Sequence, residues 1–95
     1  MTASKPLLTL YSRDYCHLCH DMLSALQELR AEHAGCFDIQ VIDVDADPIL
    51  LSRYDERVPV LAVIGEDRVR ELCHYFLDRS AVLGYLGECG RAAVA

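Results

Sequence analysis

Apolar and polar residues alternate in blocks that predict a strand followed by a helix in the first third of the chain. The stretch "LLTLY" (Leu7–Tyr11) is a short apolar run that ends in polar residues, which is typical of a buried strand. From about Tyr15 the apolar residues recur at steps of three and four, the spacing of one helix face. These apolar positions are Leu18, Met22, Ala25, Leu26 and Leu29. Ser12 or Asp14 is suited to cap the start of this helix, and Gly35 to end it.

The remaining two thirds of the chain contain three more strand patterns and two more helix patterns. β-Branched residues dominate the second and third strands, and the fourth alternates polar with apolar residues. A glycine-containing turn between the last two strands predicts a hairpin. The predicted segments are a strand at Phe37–Val44, a short helix from Ile49 to Asp55 after Pro48, a strand at Val58–Ile64, a turn at Gly65–Asp67, a strand at Arg68–Tyr75 and a helix from the cap Asp78 to Leu86.

This order of elements, β-α-β-α-β-β-α, defines the fold class that we expect. The first half is a βαβ crossover, which requires two parallel strands with a helix laid on the sheet. The second half adds an antiparallel hairpin, so the predicted fold is α/β with a four-stranded mixed sheet flanked by helices. We expect one domain over residues 1–95, with an ordered core at about 7–87, because Gly87 and Gly90 are suited to end the last helix.

The amino-acid composition narrows the classes of partner that we expect the protein to bind. The chain carries 15 acidic residues against 9 Lys and Arg, a net charge of −6, and has no basic cluster. This balance disfavours nucleic acid and anionic membranes as partners. No apolar run approaches the roughly 18 residues that span a bilayer, and the apolar run near the N-terminus is too short for a signal peptide. We therefore expect a cytoplasmic protein in a reducing compartment, with no membrane partner.

The segment "CHLCH", from Cys16 to His20, has three interpretations. Cys-x-x-Cys-His is the attachment signature of c-type haem, and Cys-x-x-Cys alone is a redox dithiol or half of a zinc site. Haem of this type calls for a mostly helical pocket and usually a distant Met ligand, whereas the only internal Met is Met22. A zinc site needs a second ligand pair, and Cys73-His74 lacks the usual spacing. The redox dithiol is the favoured interpretation, and no metal ligand is assigned.

A dithiol at the first turn of a helix has a physical rationale. Residues three apart on a helix lie about 5–6 Å apart, within the range of a disulfide. The free N–H groups and positive dipole end of the helix stabilise a thiolate on the first cysteine. Cys16 is therefore the predicted nucleophile and Cys19 the predicted resolving thiol. Arg13, and His17 when protonated, are the cations expected to stabilise the thiolate.

With these residues, the sequence resembles the thioredoxin superfamily and, within it, the glutaredoxins. The resemblance rests on "YSRDYCHLC" (Tyr11–Cys19) and "VPVL" (Val58–Leu61), and with the element order it covers about Leu7 to Leu86. It implies a thiol–disulfide oxidoreductase in which Pro59 is a cis-proline. It also implies that the backbone of Val58 pairs with the substrate, and that glutathione is a co-substrate.

One part of the glutaredoxin pattern differs here. Glutaredoxins carry a Gly-Gly and Cys-Asp-Asp-like segment before the last helix, where glutathione is held, and this chain has "ELCHYFLDRS". Only Asp78 matches that segment, so we expect weak glutathione binding. The expected partner is a disulfide-containing protein or small thiol, with the chain acting as a monomer. The alternative function is a non-catalytic thioredoxin-fold module that binds a protein or metal through the Cys-x-x-Cys turn.

Two further groups of residues receive structural interpretations. Cys36, Cys73 and Cys89 stand alone, and isolated cysteines are usually small buried hydrophobic residues. Asp43, Asp45 and Asp47 alternate as in a calcium loop. The glycine and glutamate that such a loop needs are replaced by Pro48 and Tyr54. A solvated acidic cluster at a strand end is therefore the prediction for these aspartates.

Overall fold

The structure is a computed structural model that describes residues 6–14, 16–33, 35, 37–54, 56–65 and 68–94, with side chains up to residue 87. Within these residues the elements follow the predicted order. They are β1 (Leu7–Ser12), α1 (His17–Glu32), β2 (Asp38–Asp43), a 3-10 turn (Val44–Ala46), α2 (Pro48–Tyr54), β3 (Val60–Ile64), β4 (Val69–His74) and α3 (Arg79–Val94).

The four strands form one mixed sheet in the order β2-β1-β3-β4. Strands β1 and β2 run parallel, from the pair Leu7↔Asp38 to the pair Ser12↔Asp43. The β1–β3 and β3–β4 pairs are antiparallel. The predicted α/β fold with a four-stranded mixed sheet is therefore confirmed. Because β1 lies in the middle of the sheet, the residues that follow Ser12 leave from the centre of one edge.

The two faces of the sheet pack against different helices, because side chains alternate along each strand. The larger core joins β1 and β3 to α1 and α3, and its buried members are Leu8, Leu10, Met22, Leu26, Leu29, Phe37, Leu61, Val82 and Leu86. The smaller core lies on the opposite face beneath α2, and its buried members are Tyr11, Val44, Tyr54, Val60 and Ala62. Helices α1 and α3 therefore lie on one face of the sheet and α2 on the other. The segment from Cys16 to Cys19, at the start of α1, follows the end of β1 at the edge of the sheet.

The start of α1 differs from the prediction. Ser12 closes β1, and neither Ser12 nor Asp14 caps the helix, because its N-cap residue is Cys16. The prediction that Gly35 ends this helix is confirmed, since α1 stops at Glu32 and Gly35 follows its cap His33 closely. Gly35 has a φ of 67°, and its N–H donates to the carbonyl of Arg30 at 2.8 Å. A side chain is strained in this left-handed conformation, which glycine adopts freely.

The last helix is longer than predicted, and its start is as predicted. Asp78 caps α3, since its Oδ1 accepts from the N–H of Ala81 at 3.0 Å. The prediction that Gly87 and Gly90 end the helix is wrong, because α3 continues to Val94. A glycine inside a helix costs roughly 0.5–1 kcal/mol relative to alanine, which weakens a helix without ending it. None of the helices in the described part of the chain is long and apolar enough to cross a membrane.

Candidate active site

Cys16 and Cys19 meet at the N-terminal end of α1. Cys16 has an extended backbone (φ −109°, ψ 109°), and its Sγ accepts a hydrogen bond from the N–H of Cys19 at 3.2 Å. The first helical bond runs from the N–H of His20 to the carbonyl of Cys16, also at 3.2 Å. A thiol sulfur thus takes the place of the oxygen that usually caps a helix. The helix terminus and its partial positive charge are therefore directed at Cys16.

The two thiols have different environments. Both are free, but Cys16 is half-buried, whereas Cys19 is only 2% exposed. Burial, together with a hydrogen bond between the two thiols, raises the pKa of Cys19 from 9.0 to about 12. Cys19 therefore stays protonated at neutral pH and donates toward Cys16. This asymmetry fits Cys16 as nucleophile and Cys19 as resolving thiol, which remain predictions.

Arg13 lies beside the dithiol and is held by an acidic partner that the sequence did not reveal. Its Nε donates to Oδ2 of Asp45 at 3.3 Å, and its Nη2 lies 3.1 Å from Oδ1. Asp45 is exposed, as the prediction of a solvated acidic cluster requires, but its pairing with Arg13 is not part of that prediction. Asp43 instead accepts from the N–H of Asp45, and Asp47 accepts from the N–H of Ile49, both at 2.9 Å. Each aspartate has a defined structural partner.

His17 is the first residue of α1 and is exposed. Together with Asp14, Cys16 and His20 it lines an open depression of about 300 Å³. The structure therefore brings His17 to the rim beside the proposed nucleophile. Among the described residues there is no group of three or more His, Cys, Asp or Glu side chains arranged to hold a metal ion.

The Val58–Pro59 segment shows the feature that the family resemblance implied. The peptide bond between the two residues is cis. The carbonyl of Pro59 accepts from the N–H of Tyr75 at 2.8 Å, which joins this loop to the end of β4. The N–H of Val58 donates to the carbonyl of Tyr54 at 3.1 Å. Pairing of Val58 with a substrate through this N–H therefore requires exchange of an existing hydrogen bond.

The segment between β4 and α3 differs most from the glutaredoxin pattern. Tyr75 has a φ of 65°, a conformation that favours glycine, and its hydroxyl donates to the carbonyl of Glu56 at 2.7 Å. The neighbouring Phe76 is 69% exposed. It lines a groove of about 630 Å³ that extends to the start of α3.

The charged side chains of this groove are engaged within the protein. Glu71 pairs with Arg57 and accepts from Nδ1 of His74 at 2.9 Å. Arg79 pairs with Glu32 at 2.7 Å. Cys73 also lines the groove and is half-buried, and burial raises its pKa. Cys73 was predicted to be a small buried hydrophobic residue, and this is confirmed only in part. Its side chain packs against the larger core but also reaches the groove. The side chains of Cys36 and Cys89 lie outside the described residues.

Comparison with known proteins identifies the class and then the family. Structural similarity shows that the chain has the thioredoxin fold. The structure of thioredoxin 1 from Thermosipho africanus aligns with a TM-score of 0.59 over 94% of this chain and 99% of that one, at 20% identity. The model of the glutaredoxin-like domain family (DUF836) matches residues 7–87. The chain therefore belongs to this glutaredoxin-like family.

Two solved structures share more sequence with the chain. A protein from Nitrosomonas europaea, solved by NMR, is 38% identical, with a TM-score of 0.73 over 90% of this chain and 95% of that one. A protein from X. campestris, solved by X-ray crystallography, is 33% identical, with a TM-score of 0.60 over 85% of this chain and 96% of that one. No curated protein sequence matches the chain.

Proposed function

We propose that the protein is a thiol–disulfide oxidoreductase that uses Cys16 and Cys19 to reduce disulfides. The observation that carries this proposal is the unequal placement of the two thiols. Cys16 receives the helix N–H of Cys19 and is open to a substrate, while Cys19 is buried with a pKa of about 12. One accessible and one protected sulfur, three residues apart, are what a two-step exchange needs.

In the first step, the Cys16 thiolate attacks one sulfur of the substrate disulfide. A Cys16–substrate disulfide forms, and the other substrate sulfur leaves as a thiolate that takes up a proton. In the second step, Cys19 loses its proton and attacks Sγ of Cys16, forming the Cys16–Cys19 disulfide and releasing the second substrate thiol. Two electrons pass to the substrate, and a cellular thiol or dithiol must then reduce the protein disulfide.

The pKa of Cys19 is expected to fall between the first and the second step. Burial is the largest cause of its raised pKa, and the hydrogen bond to Cys16 and the charge of Cys16 add to it. Once Cys16 is joined to a substrate, its thiolate charge is gone and it accepts the bond less strongly. The pKa of Cys19 therefore falls when its attack is required, although burial still opposes deprotonation.

We propose a protein disulfide, rather than glutathione, as the main substrate. The start of α3 already has an anionic group, since the carboxylate of Asp78 accepts from Ala81. A second carboxylate, from glutathione, would be repelled there and would lack this donor. The exposed ring of Phe76 offers apolar surface in the adjoining groove, which suits a peptide side chain better than a charged tripeptide.

A disulfide reductase assay with dithiothreitol and a peptide disulfide tests the function. The unaltered protein is expected to turn over, and Cys16→Ser to be inactive. Cys19→Ser is expected to accumulate a covalent Cys16–peptide disulfide, because the resolving thiol is missing. Absence of turnover in the unaltered protein, together with no trapped species in Cys19→Ser, would refute the proposal and favour a non-catalytic binding module.

A further inference from the structure

The parallel pairing of β1 with β2 brings Arg13 and Asp45 to the same edge of the sheet. Ser12 and Asp43 are register partners at the ends of the two strands, so the residues that follow them emerge side by side. Asp43 then fixes the direction of the next turn by accepting from the N–H of Asp45 at 2.9 Å. The register of β1 with β2 therefore determines that Asp45 lies beside Arg13.

The ion pair between them has the paired geometry that arginine forms with carboxylates. Two nitrogens of Arg13 face the two carboxylate oxygens of Asp45, at 3.3 and 3.1 Å. The side chains are 38% and 36% exposed, so solvent weakens the pair only in part. The carboxylate of Asp45 thereby offsets part of the positive charge of Arg13.

Arg13 also acts directly on the dithiol. Burial dominates the pKa of Cys19, and Arg13 opposes it through a hydrogen bond from its backbone and through its charge. A group that offsets the charge of the guanidinium therefore changes the electrostatic environment of Cys19.

On the basis of the proposed function, we propose that Asp45 is a positioning residue that sets the redox equilibrium of the Cys16–Cys19 pair by holding Arg13 and offsetting part of its charge. A positive charge near the pair favours the thiolate of the reduced form over the uncharged disulfide. Removing the negative charge of Asp45 should therefore stabilise the reduced form and make the disulfide a stronger oxidant. Removing Arg13 should have the opposite effect.

The test is the equilibrium of the full chain with mixtures of reduced and oxidised glutathione, with the Cys16–Cys19 disulfide quantified by mass spectrometry. Asp45→Asn is expected to shift the equilibrium constant about threefold toward the reduced form. At 29.6 mV per tenfold change, this is about 14 mV. The shift should shrink in 1 M salt, because the pair is partly exposed.

Asp38→Asn is the matched control. Asp38 pairs with Arg30 at 3.2 Å, so the substitution removes the same charge and also breaks an Arg–Asp pair. Asp38 lies at the opposite end of β2, where it pairs with Leu7. Its replacement is expected to leave the equilibrium unchanged.

A double-mutant cycle shows whether Asp45 acts through Arg13. Arg13→Gln is expected to shift the equilibrium toward the disulfide, and adding Asp45→Asn to it should then have no further effect. The inference is overturned if Asp45→Asn causes no shift, causes the opposite shift, matches Asp38→Asn, or shifts the equilibrium equally without Arg13. Failure of the unaltered protein to form the Cys16–Cys19 disulfide is a different result, and it overturns the proposed function itself.

Discussion

At the residue scale, the proposed thiol–disulfide exchange depends on the different surroundings of two cysteine side chains. Cys16 precedes the first turn of α1 and accepts a hydrogen bond from it, while Cys19 belongs to the buried stripe of the same helix. Only two residues lie between them, yet one faces a surface depression and the other faces the core. The helix start therefore provides the two unequal thiols that the proposed two-step exchange requires.

The first prediction concerns the reactivity of these cysteines toward iodoacetamide at pH 7.5. Cys16 in the Cys19→Ser variant should react at least about tenfold faster than Cys19 in the Cys16→Ser variant, because reactivity requires an accessible thiolate. Mass spectrometry of the tryptic peptide 14–30 measures both rates. In guanidinium chloride the two rates should become equal. Equal rates in the folded protein would contradict the assignment of Cys16 as nucleophile.

The second prediction concerns the stability of the reduced protein at alkaline pH. Burial raises the pKa of Cys19 from 9.0 to about 12, and burial also raises the pKa of Cys73. Between pH 9 and pH 10.5 the unfolded chain releases these protons more readily than the folded chain does. The free energy of unfolding should therefore fall as pH rises, by at most about 1.4 kcal/mol per pH unit for each group.

Denaturation in urea with a phosphine reductant present measures this effect. Cys19→Ala serves as the control, because it should be less stable near pH 8 yet show a shallower decline above pH 9. A free energy of unfolding that stays constant or rises from pH 9 to pH 10.5 would show that the folded environment does not oppose ionisation of these thiols.

At the element scale, the central strand β1 contains a fully buried polar residue, Thr9. Thr9 is 0% exposed, and its Oγ1 has no hydrogen-bond partner among the described residues. Alternation along the strand places it on the same face as Tyr11, which packs in the smaller core. A buried hydroxyl without a partner loses its hydration without compensation.

The third prediction is that Thr9→Val stabilises the protein. Valine has nearly the same shape and no hydroxyl, so the free energy of unfolding should rise by about 1 kcal/mol. Thr9→Ser is the control, since it keeps the hydroxyl and loses a methyl group, and it should lower stability. Urea denaturation at pH 7 compares the three proteins. A loss of stability in Thr9→Val would show that the hydroxyl has a partner outside the described residues.

The fourth prediction concerns glutathione binding and rests on the structure at the start of α3. A glutaredoxin holds glutathione both beside its cis-proline and at this helix, whereas here the Gly-Gly of that segment is missing and the carboxylate of Asp78 caps the helix. Losing one charge-assisted hydrogen bond costs about 1.5–3 kcal/mol, or roughly 10- to 100-fold in affinity. Turnover in a glutathione-coupled disulfide assay should therefore be slow, with a high KM for the glutathionylated substrate.

Asp78→Asn is the informative variant for this prediction. Asparagine keeps an oxygen that accepts from Ala81 and removes the charge, so the KM should fall by about threefold with little change in stability. Turnover of the unaltered protein equal to that of an ordinary glutaredoxin would contradict the prediction. It would show that the segment from Glu71 to Ser80 supplies a carboxylate site of another kind.

At the scale of the whole molecule, the sequence predicts the order and direction of elements well because their periodicities are local. The change from the apolar run of β1 to the three-and-four spacing of α1 is readable within twenty residues. The position of the dithiol at the start of α1 follows from that change. The left-handed Gly35 and the cap Asp78 also have local signals.

What the sequence does not reveal depends on contacts between distant segments. The pair of Arg13 with Asp45 joins residues 32 positions apart and follows from the register of β1 with β2. A sulfur cap at Cys16 has no capping signature, and the N–H of Val58 finds its acceptor only when α2 ends at Tyr54. The full length of α3 also cannot be predicted from Gly87 and Gly90, because glycine weakens helices without specifying where they end.

The central claim is that Cys16 and Cys19 form one reversible redox couple, and disulfide mapping tests it most directly. The protein is equilibrated with reduced and oxidised glutathione, acid-quenched, alkylated and digested with trypsin. Cleavage after Arg13 and Arg30 places both cysteines in the peptide 14–30, apart from the other three. The account predicts that this peptide loses two hydrogens reversibly as the ratio of oxidised to reduced glutathione rises. A peptide 14–30 that stays fully reduced, or whose cysteines pair instead with Cys36, Cys73 or Cys89, would contradict it.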